Sequence, residues 1–141
     1  HLDAGFAKAG MSKSLKTFDV APTIACILGS DLEACRMPLK MSLALYIGGM
    51  GAKDKNFYNA YIRRVGYEAE AIQIQNLFLA GKREEAIAAV PDALVDALHL
   101  VGPAERIRER FAAWKQLPIG TLIVGTQQIE AVRLLAELAQ S

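Results

Sequence analysis

Across 141 residues, 16 lysines and arginines oppose 15 aspartates and glutamates for a net charge of +1, and 52% of the chain is hydrophobic against 22% charged. That length can bury a core, and the near-zero charge argues against a dedicated nucleic-acid binder, which would carry a basic face. No apolar run reaches the ~20 residues of a membrane span, and residues 1–10 lack the charged-then-apolar order of a signal peptide, so a cytoplasmic globular protein is expected.

Residues 2–9, "LDAGFAKA", read as the end of a helix stopped by Gly10. The stretch "FDVAPTIACILG" is rich in β-branched and aromatic residues without alternation, which predicts a strand over 18–28 buried on both faces, as in a parallel sheet. Pro22 belongs near its start or at an irregularity. Asp31 offers an N-cap to a helix from Leu32 that Pro38 should interrupt, with a second helix restarting at Pro38. Leu39, Leu43, Tyr46, Ile47 and Met50 recur at three- and four-residue steps and give that helix a buried face.

The loop "GGMGAKDKN" follows. Asp54 then offers a cap for a helix carrying Phe57, Tyr58, Tyr61, Ile62 and Val65, which Gly66 ends. Those three rings suit a core or a subunit contact better than stacking on a ligand. A helix over 68–80 places Ala71, Ile74 and Phe78 on one stripe and stops at Gly81. "KREEAIAAV" and "PDALVDAL" add two short helices, so residues 31–99 read as a helical insertion. Pro103 opens the next helix, with Ile107, Phe111 and Trp114 on one face, and "RIRER" reads as an ordinary charged face. A short apolar strand is predicted over 120–125, then a final helix with the stripe Ile129, Val132, Leu135 and Leu138.

Cys26 and Cys35 have no histidine at metal-ligand spacing, so free buried thiols are expected and no metal site. His99 is expected to be a satisfied buried or edge histidine, not a general base. The strand–helix–strand–helix rhythm is that of a parallel sheet, yet two strands alone leave both edges open. Either another chain supplies strands, or these residues are the tail of a longer protein, mostly helical when isolated.

Several motifs, in order, resemble one family: "FDVAPTIACILGSDLEACRMPLKMSLALYIGGMG" followed by "NFY", then "VPDALVD", "LVGPAERI" and "GTLIVGT". The chain resembles the C-terminal part of the luciferase-like monooxygenases, and among them the deazaflavin (coenzyme F-420)-dependent oxidoreductases. The resemblance implies an α/β fold, the C-terminal portion of a (β/α)8 TIM-type barrel, with 18–28 and 120–125 as its last two strands. Residues 1–141 would be one C-terminal segment of that larger domain. The implied activity is hydride transfer between the cofactor, coenzyme F-420 or FMN, and a small organic substrate. The implied partners are the remainder of its own barrel and a second copy of the chain, through helices within 38–80. Neither nucleic acid nor membrane is implied. Catalytic residues would lie in the missing part, so these residues alone should be inactive. The rival reading is a stand-alone helical interaction or oligomerisation module.

Barrel ligands sit at the C-terminal ends of strands. Of the two such ends, Gly29-Ser30-Asp31 carries a carboxylate that repels anions, whereas Gly125-Thr126-Gln127-Gln128 offers uncharged donors at a helix start. Gly125, Thr126 and Gln127 are therefore candidate cofactor contacts, although Thr126 could simply cap the helix. In the glycine loop, Gly48 or Gly49 suits a helix stop and Gly51 a close backbone approach. Lys53 and Lys55 could reach the cofactor's anionic tail, so Gly48, Gly49, Gly51 and Lys53 are the second candidate group, with a plain corner as the alternative.

Overall fold

The computed structural model describes residues 2–10 and 12–140. β1 (Thr23–Leu28) is the middle strand of a three-stranded parallel sheet, between β2 (Leu100–Gly102) and β3 (Ile123–Gly125). The first strand starts at Thr23, not at residue 18, because Pro22 has no N–H to contribute; its carbonyl accepts from Ile123 N at 2.9 Å. Likewise β3 is limited to Ile123–Gly125, although Gly120 N still donates to Val20 O at 3.2 Å. The third strand, β2, falls beyond the predicted insertion. Three apolar-to-glycine residues give no periodicity to read, and Gly102 adopts φ +110°.

Neither neighbour runs the length of β1. β2 pairs with Cys26–Leu28 on one side, and β3 with Thr23–Ala25 on the other. Side chains finish both edges. His99 Nδ1 accepts the Ala25 N–H at 3.1 Å, and the Gln128 amide takes both the N–H and the carbonyl of Leu28 at 2.7 Å each.

Helices cover both faces. Ala25 and Ile27 pack on a core built by α2 (Leu32–Gly49), α3 (Phe57–Arg64), α4 (Glu68–Leu79), α5 (Arg83–Ala88) and α6 (Asp92–Leu98), with Ile47, Ile74, Leu94 and Val95 fully buried. Ile24, Cys26 and Leu28 turn to the other face, against Ile107 and Phe111 of α7 (Ala104–Trp114) and Ala131, Leu134 and Leu135 of α8 (Ile129–Gln140). α1 (Leu2–Lys8) carries no buried residue, and Gly10 follows it at φ +66°. β1 and β3 lie side by side as successive barrel strands would; three strands do not themselves close a barrel. No helix among the described residues is long and apolar enough to cross a membrane.

α2 is one helix of 18 residues, not two. Pro38 and Ala34, whose carbonyl loses its partner, are both exposed, so water can satisfy that oxygen. The buried Cys35, Arg36 and Leu39 hold the helix straight through, and Asp31 caps it as expected, accepting from Ala34 N at 3.1 Å. α3 is capped by Asn56, not Asp54: its Oδ1 accepts from Asn59 N while its Nδ2 reaches the carbonyls of Tyr46 and Ile47, all at 3.0 Å. Phe57, Tyr58 and Tyr61 are exposed, outside the core, with Phe57 and Tyr61 stacked at 6.4 Å. On α8 the buried stripe is Ala131, Leu134 and Leu135, while Ile129 and Val132 are exposed. Small Ala131 is what lets α8 approach β1.

Gly48 and Gly49 do not stop α2; they are inside it. A Cβ on Gly48 would sit 2.5 Å from Phe78 Cβ, and one on Gly49 would sit 2.4 Å from Phe78 Cε1, so both glycines exist to admit α4. The chain turns two residues later, at Gly51 with φ +123°.

"RIRER" is no plain solvated face either. Arg106 donates to Asp96 Oδ2 at 2.8 Å and Arg110 to the Asp96 carbonyl, while Arg36 grips both Asp96 carboxylate oxygens at 3.2 and 2.7 Å. Arg36 also meets Asp92 at 2.8 Å and Glu33 at 3.1 Å, and Lys40 pairs with Asp92. Arg36 keeps 11% and Asp96 14% of their side chains exposed, which makes this a mostly buried network. The arginines hold the Asp96 carboxyl below its usual range against the opposing effect of burial, and Lys40 first among the cations does so for Asp92.

Asp96→Ala, which leaves Arg106 without its carboxylate and Arg36 with only Asp92 and Glu33, should cost about 3 kcal/mol in equilibrium urea unfolding, whereas exposed Arg108→Ala should stay within about 0.5 kcal/mol. Gly48→Ala and Gly49→Ala should each cost about 1–3 kcal/mol in place of the usual helix gain. Adding Phe78→Ala should relieve the Gly49 variant, whose clash is with the ring, but not the Gly48 variant, whose clash is with Cβ; a double-mutant cycle reads the difference. Burial lowers the His99 pKa. The unfolded chain then takes up that proton first, so stability is complete above about pH 6.5 and declines as pH falls below it. A fall in Tm between about pH 7 and 5 is expected, and His99→Asn, an acceptor that does not titrate, should flatten it.

Candidate functional site

From β1 the chain crosses to one side for β2 and to the other for β3, and where strand order reverses, the helices on opposite faces leave a crevice at the carboxyl ends of the strands. A cleft of about 570 Å³ opens there, within the range of small-molecule sites. It is lined by Ala25, Cys26 and Ile27 from β1, Pro38 from α2, and Gly125, Thr126, Gln127 and Gln128 leading into α8.

The predicted candidates divide cleanly. Gly125, Thr126 and Gln127 line the cleft, whereas Gly48, Gly49, Gly51 and Lys53 do not. Gly48 and Gly49 face Phe78, and Lys53 presents its carbonyl to Gln75 Nε2 at 3.2 Å with its side chain exposed. The residues missed by sequence reasoning are those of β1 and Pro38. The rule that ligands gather at strand ends could have found Ile27. Pro38 had no such signal, since its place depends on α2 continuing unbroken.

The local chemistry is neutral. Thr126 Oγ1 accepts from Gln128 N at 3.2 Å, the capping role weighed for it. Gln127, exposed, makes no hydrogen bond to any other described residue. The floor is apolar, and its one ionisable lining group, Cys26, is held by burial at a pKa of about 11, so the thiol stays protonated and is no nucleophile at neutral pH. Cys26 and Cys35 are both free and buried. His99 lies on the β2 side with Nδ1 already engaged, and no cluster of His, Cys, Asp and Glu among the described residues could hold a metal. The cleft can therefore bind and orient a ligand through apolar contact and neutral donors, but it carries no group poised to move a proton. A flat, uncharged ring system suits this lining, and the donors at the start of α8 suit carbonyl or phosphate oxygens on its edge.

Residues 1–121 match the model of the luciferase-like monooxygenase family. A Mycobacterium tuberculosis protein with the provisional name coenzyme F-420-dependent oxidoreductase is 36% identical over 137 residues, which cover 97% of this chain and 40% of that protein. The chain thus spans less than half the length of that curated relative. No solved structure matches it. On the family match and the shared sequence together, the chain belongs to the luciferase-like monooxygenase family.

Proposed function

We propose that the chain forms the C-terminal part of a flavin- or deazaflavin-dependent oxidoreductase, completing its barrel and one wall of its cofactor site. The observation that carries the reading is the neutral, mostly apolar cleft at the ends of β1 and β3 in a chain of this family. When bound, the cofactor supplies the hydride chemistry. Ala25 and Ile27 would press on its flat face, and Gln127 with the backbone at Thr126 would hold an edge oxygen. Burial of Cys26 keeps a competing thiolate out of the site. The relative's name favours the deazaflavin over FMN. Proton transfer and substrate recognition would fall to residues outside this chain, which by itself would have no turnover.

The alternative, an interaction module without catalysis, draws on one observation: the exposed rings of Tyr46, Phe57, Tyr58 and Tyr61 lie against one another at 4.7 to 6.4 Å between ring centres. Such a face could equally serve as a subunit contact of the enzyme, so it does not compete with the cleft.

The test is a titration of the protein at its native length with oxidised coenzyme F-420 and with FMN, followed by fluorescence. Saturable binding of one of them, weakened about tenfold by Gln127→Ala with no change in Tm, is expected, since one hydrogen bond to the ligand is removed and none within the fold. Binding of neither cofactor would sink the reading.

A further inference from the structure

We infer that Gln128 is a positioning residue: its side-chain amide substitutes for a missing stretch of strand and fixes the mouth of the cleft. A residue of a parallel sheet offers its N–H and its carbonyl to the same neighbouring strand. Leu28 does so, but β3 has already ended at Gly125. Gln128 Oε1 accepts the Leu28 N–H and Gln128 Nε2 donates to the Leu28 carbonyl, both at 2.7 Å. The opposite edge of β1 needs no such help here, since Gly29 N reaches Gly102 O of β2 at 3.1 Å.

At neutral pH a side-chain amide of this reach meets both demands at once. A carboxylate accepts and cannot donate, an ammonium donates and cannot accept, and a hydrocarbon leaves both Leu28 groups unpaired. The backbone of Gln128 is tied down as well, its N–H donating to Thr126 Oγ1 at 3.2 Å. Residues 126 and 128 are thereby held, while Gln127 between them is exposed, makes no hydrogen bond to another described residue and lines the cleft. The clamp sets where Gln127 and the first turn of α8 stand relative to β1. Without it, the Leu28 N–H and carbonyl would open at the cleft's edge, free to bind water and to let the wall drift.

The positioning role rests on the cofactor reading given above; the clamp itself does not. Both are tested in the protein at its native length with Gln128→Glu and the apolar, similarly shaped Gln128→Met. Two readouts are followed from about pH 4.5 to about 8: amide hydrogen exchange of the segment 26–30, and the Kd of oxidised coenzyme F-420 (FMN if that is the cofactor bound). A protonated glutamic acid again donates and accepts, and an ionised one loses the donor and faces a carbonyl. Gln128→Glu should therefore match wild type within about twofold at the acid end, then weaken in affinity by about tenfold as its carboxyl ionises. Gln128→Met should be weakened at every pH, and wild type should vary little. In both variants, segment 26–30 should exchange faster whenever affinity falls.

If exchange in segment 26–30 is unaltered in Gln128→Met, there is no clamp, and the inference fails whatever the cofactor does. If exchange rises but Kd holds steady, the clamp is structural and the positioning role is overturned while the cofactor reading stands. If wild type binds neither cofactor, the functional reading fails and takes the positioning role with it.

Discussion

The fold depends on a hydrogen-bonding constraint on one strand. β1 is six residues long, lies between two helical layers, and has neighbours of only three residues each. A buried peptide group without a partner costs about as much as a lost hydrogen bond, so the uncovered positions cannot simply be left bare. His99 and Gln128 close the two gaps from opposite sides, each standing directly beside the short strand that falls short. This arrangement explains why an imidazole stands at the start of β2 and why an amide sits at the start of α8. It also lets a three-stranded sheet hold helices on both faces.

That constraint places the cleft. Because β3 ends early, the chain leaves the sheet at Gly125 and passes Thr126 and Gln127 across the strand ends before α8 begins. The resulting wall is made of backbone, hydroxyl and amide groups over an aliphatic floor. Such a surface discriminates by shape and neutral hydrogen bonding. Under the function proposed above, such a wall would hold and align the cofactor, with acid–base work done elsewhere.

Much of this was legible in the sequence where the signal is local. The Asp31 cap, the glycine stops at Gly66 and Gly81, the α4 stripe and the donors after β3 all depend on residues within a turn or two of one another. What escaped depends on distant partners. Gly48 and Gly49 read as a helix stop because Phe78, the ring they accommodate, is some thirty residues away in the sequence. The Arg106 and Arg110 side chains read as solvated because Asp96 lies on a different helix. Pro38 read as a break because nothing near it announces that Arg36, a charged residue just before it, is buried. β2 was too short for any periodicity, and the stripe of α8 was off by a rotation because Ala131 is as well suited to a tight contact as Ile129 is to a loose one.

Asp96 has a mechanical meaning as well as an electrostatic one. It belongs to α6 and grips Arg36 of α2, which covers one face of β1, and Arg106 of α7, which covers the other. The two layers share a single anchor, so sliding either of them along the sheet would draw an arginine away from the same carboxylate. Shear between the layers is resisted at this rivet, whereas among the described residues no ion pair ties α8 to the insertion. Any breathing that admits a ligand at the strand ends should therefore carry the insertion and α7 as one body, with the far end of α8, beyond the Gln128 clamp on β1, as the part left to swing.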